Sequence, residues 1–201
     1  MSNPIRETDA FLFFWRGWPS QWQRARFVVD GVEYNCCEQY MMAEKARVFD
    51  DADALAAILA TGAPREQQAI GRTVRGFEVE VWHSVCRGIV YAGNLARFGQ
   101  DAAAGAMLLA TGDKTMVEAS PTDRIWGIGL AQDDPRALDP TQWRGTNWLG
   151  VALMHVRQTL GARSERERAE ATDDELARQL RRRAELPAPP AIALGTHEAR
   201  A

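Results

Sequence analysis

Helix start and stop signals recur along residues 36–112, and this run constrains the fold of the chain more than any other feature. Pro64 suits the first position of a helix, and Gly62 and Gly112 suit positions just after a helix ends. The longest segment, 77–98, repeats apolar side chains at helical spacing. Most of this part of the chain is therefore predicted to be helical, over 36–49, 50–62, 64–74, 77–98 and 100–112.

Segments typical of strands are short and few. "FLFFW" (11–15) and "KTMVEAS" (114–120) are each predicted to form a strand. Asp30-Gly31 lies between two β-prone segments and is the strongest β-hairpin signal in the chain. With a last strong helix over 146–160, the pattern predicts an α+β fold, a predominantly α-helical single domain with a few short antiparallel strands.

The character of the sequence changes at Gly161. Residues 1–162 are predicted to form one domain, and 163–201 a tail that is helical and charged at first and then disordered. The tail contains "RQLRRR" (178–183), which could bind phosphate groups. The acidic residues interspersed in this part of the tail favour a solvated helix face instead.

Composition and charge narrow the class of protein. The formal net charge of −3 gives no global electrostatic reason for binding nucleic acid or a membrane. The chain has no run of about 18 apolar residues, and its start lacks the pattern of a signal peptide. Three cysteines without metal-ligand spacing are typical of reduced thiols in a cytoplasmic protein. The three histidines are scattered, so no metal site is predicted.

Glu38 and Lys45 lie seven residues apart in the largely apolar segment 34–46, "YNCCEQYMMAEKA". Seven residues make almost two helical turns, so both side chains are expected on one stripe of a helix, about 10 Å apart along its axis. A structural role is open for each of them. Asn35 with Glu38 matches a variant of the capping box, and Lys45 could extend its stem over apolar surface.

Two later segments carry residue types suited to a binding site. "EASPTDRIWGIG" (118–129) places Asp123 and Trp126 in a turn after a strand. An aspartate that bonds its own turn and a tryptophan in the core are the structural alternatives for these two residues. "WRGTNWLG" (143–150) ends in a helix N-terminus, where free amides and the helix dipole can hold an anion such as phosphate. An ordinary helix cap is the alternative there.

Taken together, "VEYNCCEQYMMAEKA", "MLLATGDKTMVEASPTDRIWGIG" and "GTNWLGVALMHVRQTL" resemble the NADAR family. The family pattern has an acidic residue, an aromatic residue and a lysine on an early helix. It continues with "LLAT" before a strand, a D-x-x-W-G turn, and N-x-L-G at the start of the last helix. The likeness runs in this order from about Phe13 to Leu160. The matching positions are Glu38, Tyr40 and Lys45; Leu108 to Thr111; Asp123, Trp126 and Gly127; and Asn147, Leu149 and Gly150.

The sequence departs from the family pattern at two places. Many members carry histidine where this chain has Gln39, which is expected to alter the pocket while leaving the chemistry intact. The loop between Gly129 and Arg144 is longer than in compact members, and its length favours a larger substrate.

The resemblance implies cleavage of a C–N glycosidic bond to ribose, without a metal or other cofactor. One substrate class of the family is the phosphorylated ribosylamino-pyrimidine intermediates of riboflavin synthesis. The other is ADP-ribose attached to guanine bases in nucleic acid, which the longer loop favours for this chain.

Catalytic roles follow for three residues. Positive charge develops at C1 of the sugar in such a reaction, so Glu38 is expected to activate water or to stabilise that charge. Asp123 would hold ribose hydroxyls or share this work. Lys45 has two open roles, either as a cation that binds phosphate or as a nucleophile of lowered pKa that forms an imine with the opened sugar. The remaining predicted site residues bind substrate, by stacking of the base on Trp126 and by contacts from Gly127, Asn147, Tyr40, Arg72 and Arg16.

Two other functions remain open on the sequence alone. The first is a non-catalytic reader of ADP-ribose or nucleotide that uses the same pocket; the presence of both Glu38 and Lys45 speaks against it. The second is a nucleic-acid adaptor acting through residues 178–183, which would bind with steep salt dependence.

Overall fold

The structure is a computed structural model that describes residues 5–184, and within 173–184 it describes the side chains of Glu175 and Arg178 only. Five short strands lie in this part of the chain: β1 (Ile5–Glu7), β2 (Phe11–Phe14), β3 (Phe27–Val29), β4 (Val32–Tyr34) and β5 (Thr115–Glu118). The α-helices are α1 (Cys37–Val48), α2 (Ala52–Ala60), α3 (Pro64–Gly71), α4 (Val79–Gln100), α5 (Ala102–Ala110) and α6 (Trp148–Ala184). The predicted helix-rich α+β class is confirmed.

The strands form two small sheets. In the two-stranded sheet, β3 pairs antiparallel with β4, and Asp30 and Gly31 between them have φ angles of 49° and 79°. This is the predicted hairpin, whose two-residue turn needs positive φ at both positions. In the other sheet, in the order β1-β2-β5, β1 is antiparallel to β2 while β2 runs parallel to β5.

The parallel pair decides where a site can form. Phe11 is paired with Thr115, and Phe14 with Glu118, so the two strands end at the same edge of the sheet. The crossover between β2 and β5 contains helices α1 to α5. Because the carboxyl ends of parallel strands meet at one edge, the segments after Phe14 and after Glu118 are brought together there.

Helix α1 lies at the centre of the helical part and contacts α2, α3 and α4. Two glycines let neighbouring helices approach it closely. A Cβ added at Gly71 would lie 2.0 Å from Sδ of Met42, and one added at Gly93 would lie 2.4 Å from Cδ1 of Tyr40. Nine of the twelve residues of α1 are buried as a result, including polar ones.

The start of α1 differs from the predicted one. Cys36, not Asn35, is the N-cap, and its Sγ accepts a hydrogen bond from the backbone N–H of Gln39 at 3.4 Å. The side chain of Gln39 accepts from the N–H of Asn35 at 2.8 Å. Gln39 therefore takes the capping-box role that was considered for Glu38, which leaves the Glu38 carboxyl outside the cap.

The loop after Gly129 folds against the far side of the sheet. It contains two short 3-10 helices, Pro135–Leu138 and Pro140–Gln142. Leu130 and Ala137 pack in a small core with Phe13, Val117, Ala119 and Ile128.

The chain divides into two units, one ending at Ala162 and the other beginning at Arg163. In the second unit the residues up to Ala184 are helical, and Arg178 forms an ion pair with Glu175 at 3.2 Å. The predicted disordered end falls on residues 185–201, which lie outside the described residues. Across residues 5–184, no helix has the length and apolar content needed to cross a bilayer.

Candidate active site

A cavity of about 1080 Å³ lies at the edge of the sheet where β2 and β5 end. The segment after β2 and the segment from Glu118 to Trp126 form two of its walls, and α1 forms a third. Ligands of sheets with parallel strands commonly bind outside the carboxyl ends of those strands. The volume is at the upper end of the range for small-molecule sites.

Helix α1 contributes one stripe of side chains to the cavity, at spacings of three and four residues. These side chains belong to Glu38, Met41, Met42 and Lys45. Residues spaced this way lie above one another on a helix face. The acid and the amine therefore face the same space, as their seven-residue separation predicts.

Glu38 is a buried carboxyl on the cavity wall. Its side chain is 2% exposed, and Oε1 has no hydrogen-bond partner within the described part of the chain. Burial raises the pKa of Glu38 to about 7, an effect that hydrogen bonds from Trp22 and Gln68 and the charge of Arg72 partly offset. The carboxylate and acid forms of Glu38 are therefore both populated near neutral pH.

Lys45 is buried as well, with 8% of its surface exposed. Nζ donates a hydrogen bond to the carbonyl of Gly71 at 2.8 Å and lies 4.0 Å from the centroid of the Phe77 ring. Among the described residues, no carboxylate forms an ion pair with it. Burial, and then the charge of Arg72, lower the pKa of Lys45. The Lys45 ammonium does not reach solvent. This disfavours the structural role considered above, in which the stem covers apolar surface and the charge lies in water.

The turn after β5 places Asp123 and Trp126 on the opposite wall. Oδ1 of Asp123 accepts hydrogen bonds from the N–H groups of Ile125 and Trp126, both at 2.8 Å, so the predicted bonding to its own turn is present. Asp123 is half-buried and lines the cavity all the same. The Trp126 ring packs edge-on against Trp148 at 5.8 Å and also lines the cavity.

The start of α6 is not the predicted anion site. Residues 124–127, around Trp126, form what we call the tryptophan turn. The backbone N–H groups at the start of α6 donate hydrogen bonds to its carbonyls: Thr146 to Arg124 at 3.1 Å, Asn147 to Gly127 at 3.2 Å, Trp148 to Ile125 at 3.4 Å and Leu149 to Trp126 at 3.1 Å. These four amides hold the turn in place and are therefore not free to bind phosphate.

Three residues predicted to bind substrate do not line the cavity. Asn147 is 2% exposed, and its side-chain amide donates to Met116 O at 2.9 Å and accepts from the N–H of Glu118 at 3.0 Å. Tyr40 packs against the rings of Phe27 and Tyr34 in the core, and Gly127 is buried. Their predicted contacts with substrate are corrected to structural roles.

Arg16 and Arg72 do line the cavity, and both are exposed. Two tryptophans that the sequence did not single out, Trp15 and Trp22, lie there too and are 47% and 43% exposed. The guanidinium of Arg16 lies 5.4 Å from the centroid of the Trp15 ring. This part of the wall, residues 15–23, is the aromatic lip of the cavity.

Neither departure from the family pattern reaches the cavity. The side-chain amide of Gln39 donates to the carbonyl of Ile58 at 3.0 Å, and Gln39 does not line the cavity. The loop of residues 130–144 contributes no lining residue either. The expectation that Gln39 alters the pocket is therefore wrong, and so is the argument that the longer loop makes room for a larger substrate.

Sequence reasoning missed Glu118, which is the last residue of β5 and 6% exposed. Burial, and secondarily the charge of Asp123, raise the pKa of Glu118 to about 9. The sequence feature that could have pointed to Glu118 is a single carboxylate at the end of a short, otherwise uncharged strand. It stands directly before the turn that begins with Ala119, Ser120 and Pro121. In the described part of the chain, no group of three or more His, Cys, Asp or Glu side chains is placed to hold a metal ion.

Glu118 predicts how stability depends on pH. Its carboxyl binds a proton more tightly in the folded chain than in the unfolded chain, where the pKa is near 4.5. The free energy of unfolding therefore falls as the pH rises from about 5 to about 9. Glu118→Gln is expected to raise that free energy by about 2–4 kcal/mol at about pH 8 and to change it little at about pH 5. Urea unfolding at both pH values measures the difference, and equal stabilities at the higher pH would contradict it.

The family model of the NADAR domain matches residues 13–161. The chain belongs to the NADAR family. Similar proteins include the N-glycosidase R617 of Acanthamoeba polyphaga mimivirus, 37% identical over 76% of this chain and 97% of the viral protein. The N-glycosidase YbiA of Escherichia coli is 30% identical over 66% of this chain and 74% of its own length.

The chain is also similar to a further protein and to a solved structure. Protein irg-1 of Caenorhabditis elegans is 37% identical over 67% of this chain, which spans only 64% of that protein. The NMR structure of Escherichia coli YbiA matches the fold with a TM-score of 0.65 and 25% identity, over 80% of this chain and 90% of that one.

Proposed function

We propose that this protein is an N-glycosidase that hydrolyses the C–N bond between a ribose and a base, with residues 1–162 as the catalytic domain. One observation carries the proposal: Glu38 and Lys45 on α1 and Asp123 and Trp126 on the opposite turn line the same cavity. A relative 37% identical over 76% of this chain and one 30% identical over 66% are named N-glycosidases, which supports the same activity here.

Glu38 is the residue we assign to C1 of the ribose. Breaking a ribosyl C–N bond leaves positive charge on C1 and its ring oxygen, and a nearby carboxylate stabilises that charge or activates water. The buried Glu38 has no cation in ion-pair contact within the described residues. The carboxylate is therefore available to the substrate, and Asp123 offers hydrogen-bond acceptors for the ribose hydroxyls.

Lys45 can act in two ways in this site. As an ammonium it would bind the phosphate of a nucleotide substrate. As a neutral amine it would attack C1 and form an imine with the opened sugar, which water then hydrolyses. The buried position and the neighbouring Arg72, both of which favour the neutral form, support the covalent route.

The other lining residues suit a substrate with a planar base and phosphates. Trp126 offers a ring face to a base, and stacking of this kind contributes about 1–3 kcal/mol per base. Arg72 and Arg16 both line the cavity and supply positive charge to it. The volume of about 1080 Å³ is generous for a pyrimidine nucleotide, so ADP-ribosylated guanine is the substrate we propose first.

Incubation with each substrate class, followed by mass spectrometry of the products, tests the proposal. We expect ADP-ribose and unmodified guanosine or oligonucleotide from an ADP-ribosylated guanosine or oligonucleotide, and slower or no release of base from a ribosylaminopyrimidine phosphate. Faster release from the ribosylaminopyrimidine phosphate would change the proposed substrate class but would still support N-glycosidase activity. Binding of ADP-ribose by calorimetry without any product in either assay would contradict an enzyme and favour a reader.

A further inference from the structure

We propose that Glu118 is the acid that protonates the departing base. The assignment rests on the N-glycosidase function proposed above and adds a second carboxyl group to it. Neither the family pattern considered above nor the names of the relatives assigns a role to this residue.

The backbone around Glu118 is held firmly in place. Its N–H donates to the side chain of Asn147 at 3.0 Å, and its carbonyl accepts from the N–H of Ile128 at 2.9 Å. A Cβ added at Gly127 would lie 3.2 Å from Cγ of Glu118. The side chain is thus fixed on the cavity wall, between β5 and the tryptophan turn.

The carboxyl group of Glu118 has no partner in the described part of the chain, since neither a hydrogen bond nor an ion pair reaches it there. A buried carboxylate without a cation is costly, so such a group holds its proton. The raised pKa of about 9 agrees with this reasoning. At neutral pH, Glu118 therefore presents an O–H donor to the cavity.

The two glutamates differ in their surroundings in a way that separates their roles. The like charge of Asp123 raises the pKa of both glutamates, but Glu38 also has Trp22, Gln68 and Arg72 to favour its charged form, and Glu118 has no such partners among the described residues. When the surroundings of two carboxyl groups in one site give them different pKa values, the group with the higher pKa can act as the acid and the other as the carboxylate. The charged groups that line the cavity with Glu118 are Arg16, Glu38, Lys45, Arg72, Asp123 and Arg124.

The step balances without a further reactant. As the C1–N bond breaks, its electron pair goes to the base nitrogen, which takes the proton of Glu118 and leaves the glutamate as a carboxylate. C1 is captured by water, or by the amine of Lys45 followed by water. Water then supplies the hydroxyl on C1, and its remaining proton restores the acid. For ADP-ribosylated guanosine the products are ADP-ribose and guanosine.

A pair of substrates separates this role from a structural one. The first is ADP-ribosylated guanosine, whose base needs a proton to depart. The second is a nitrophenyl riboside that carries the same ADP group. Its leaving group, nitrophenolate, departs without being protonated. In Glu118→Gln we expect kcat to fall about a hundredfold on the first substrate and less than about threefold on the second. Glu33→Gln, an exposed carboxylate on β4, is the matched control and should leave both rates unchanged.

The wild-type enzyme gives a second readout that does not depend on the variant folding. Its kcat for guanosine release should fall above about pH 9, and its kcat for the nitrophenyl riboside should not fall there. Two results would overturn the acid role of Glu118 while leaving the proposed function in place. One is an equal loss of kcat on both substrates in Glu118→Gln, and the other is a fall of the wild-type kcat at high pH on both substrates. A wild-type enzyme that cleaves neither substrate would overturn the proposed function as well.

Discussion

Replacement of Glu38 by glutamine is expected to lower kcat for base release by about a thousandfold while changing the Kd for substrate less than about threefold. Glutamine keeps the shape of the side chain but cannot carry the negative charge that an electron-poor C1 requires. Single-turnover kinetics and calorimetry of the variant with uncleaved substrate measure the two quantities.

The control for this variant is Glu44→Gln, on the same helix but outside the cavity and paired with Arg47. It should retain wild-type turnover. The wild-type rate should also rise with pH through about 7, as Glu38 becomes ionised, and this limb should disappear in Glu38→Gln. Full turnover in Glu38→Gln, or a large loss of binding without loss of kcat, would remove Glu38 from the role at C1.

Replacement of Lys45 by arginine is expected to lower kcat about a hundredfold and to abolish covalent trapping of the sugar. Arginine keeps a positive charge at this position but cannot form an imine. Borohydride added during turnover should attach the reduced sugar to the wild-type peptide that contains Lys45, and mass spectrometry of the digest detects it. Lys45→Met removes both the charge and the amine.

The two lysine variants distinguish the covalent role from phosphate binding. If the residue acts as a cation, Lys45→Arg should keep most of its activity and Lys45→Met should raise KM. If it acts as a nucleophile, both variants should lose kcat to a similar extent. Absence of a trapped adduct in the wild type, together with an active Lys45→Arg, would rule out the covalent route.

Most of the fold follows from local signals. The Asp30-Gly31 hairpin and Pro64 at the first position of α3 are found where the sequence predicts them. The parallel pairing of β2 with β5 joins residues about a hundred positions apart, and nothing local in either strand specifies such a pairing. Cys36 was missed as the cap of α1 because a thiol is a weak acceptor and seldom takes this position.

The site was predictable where spacing along one helix decides it. The separation of Glu38 and Lys45 alone places both on one face of α1. Asn147 lies at the junction of a loop with α6, where the direction of a side chain depends on tertiary contacts. Tyr40 lies two residues from Glu38 on α1, which turns it away from the stripe that lines the cavity. Glu118 was missed because a carboxyl group on a strand acquires its unusual properties only from burial and from Asp123.

The bonds between the first amides of α6 and the tryptophan turn have a consequence for selectivity within the family. These hydrogen bonds hold this wall of the cavity in one conformation before substrate is present. We therefore expect the wall to change conformation little when ribose binds against it. The backbone of the aromatic lip at residues 15–23 is tied to α4, where the Arg97 guanidinium donates to the carbonyls of Trp18 at 2.6 Å and Ser20 at 3.1 Å, while the side chains of Trp15 and Trp22 stay partly exposed. For the N-glycosidase proposed above, we therefore expect substitutions of these two side chains to change which base or nucleotide tail is accepted without disturbing the residues assigned to C1.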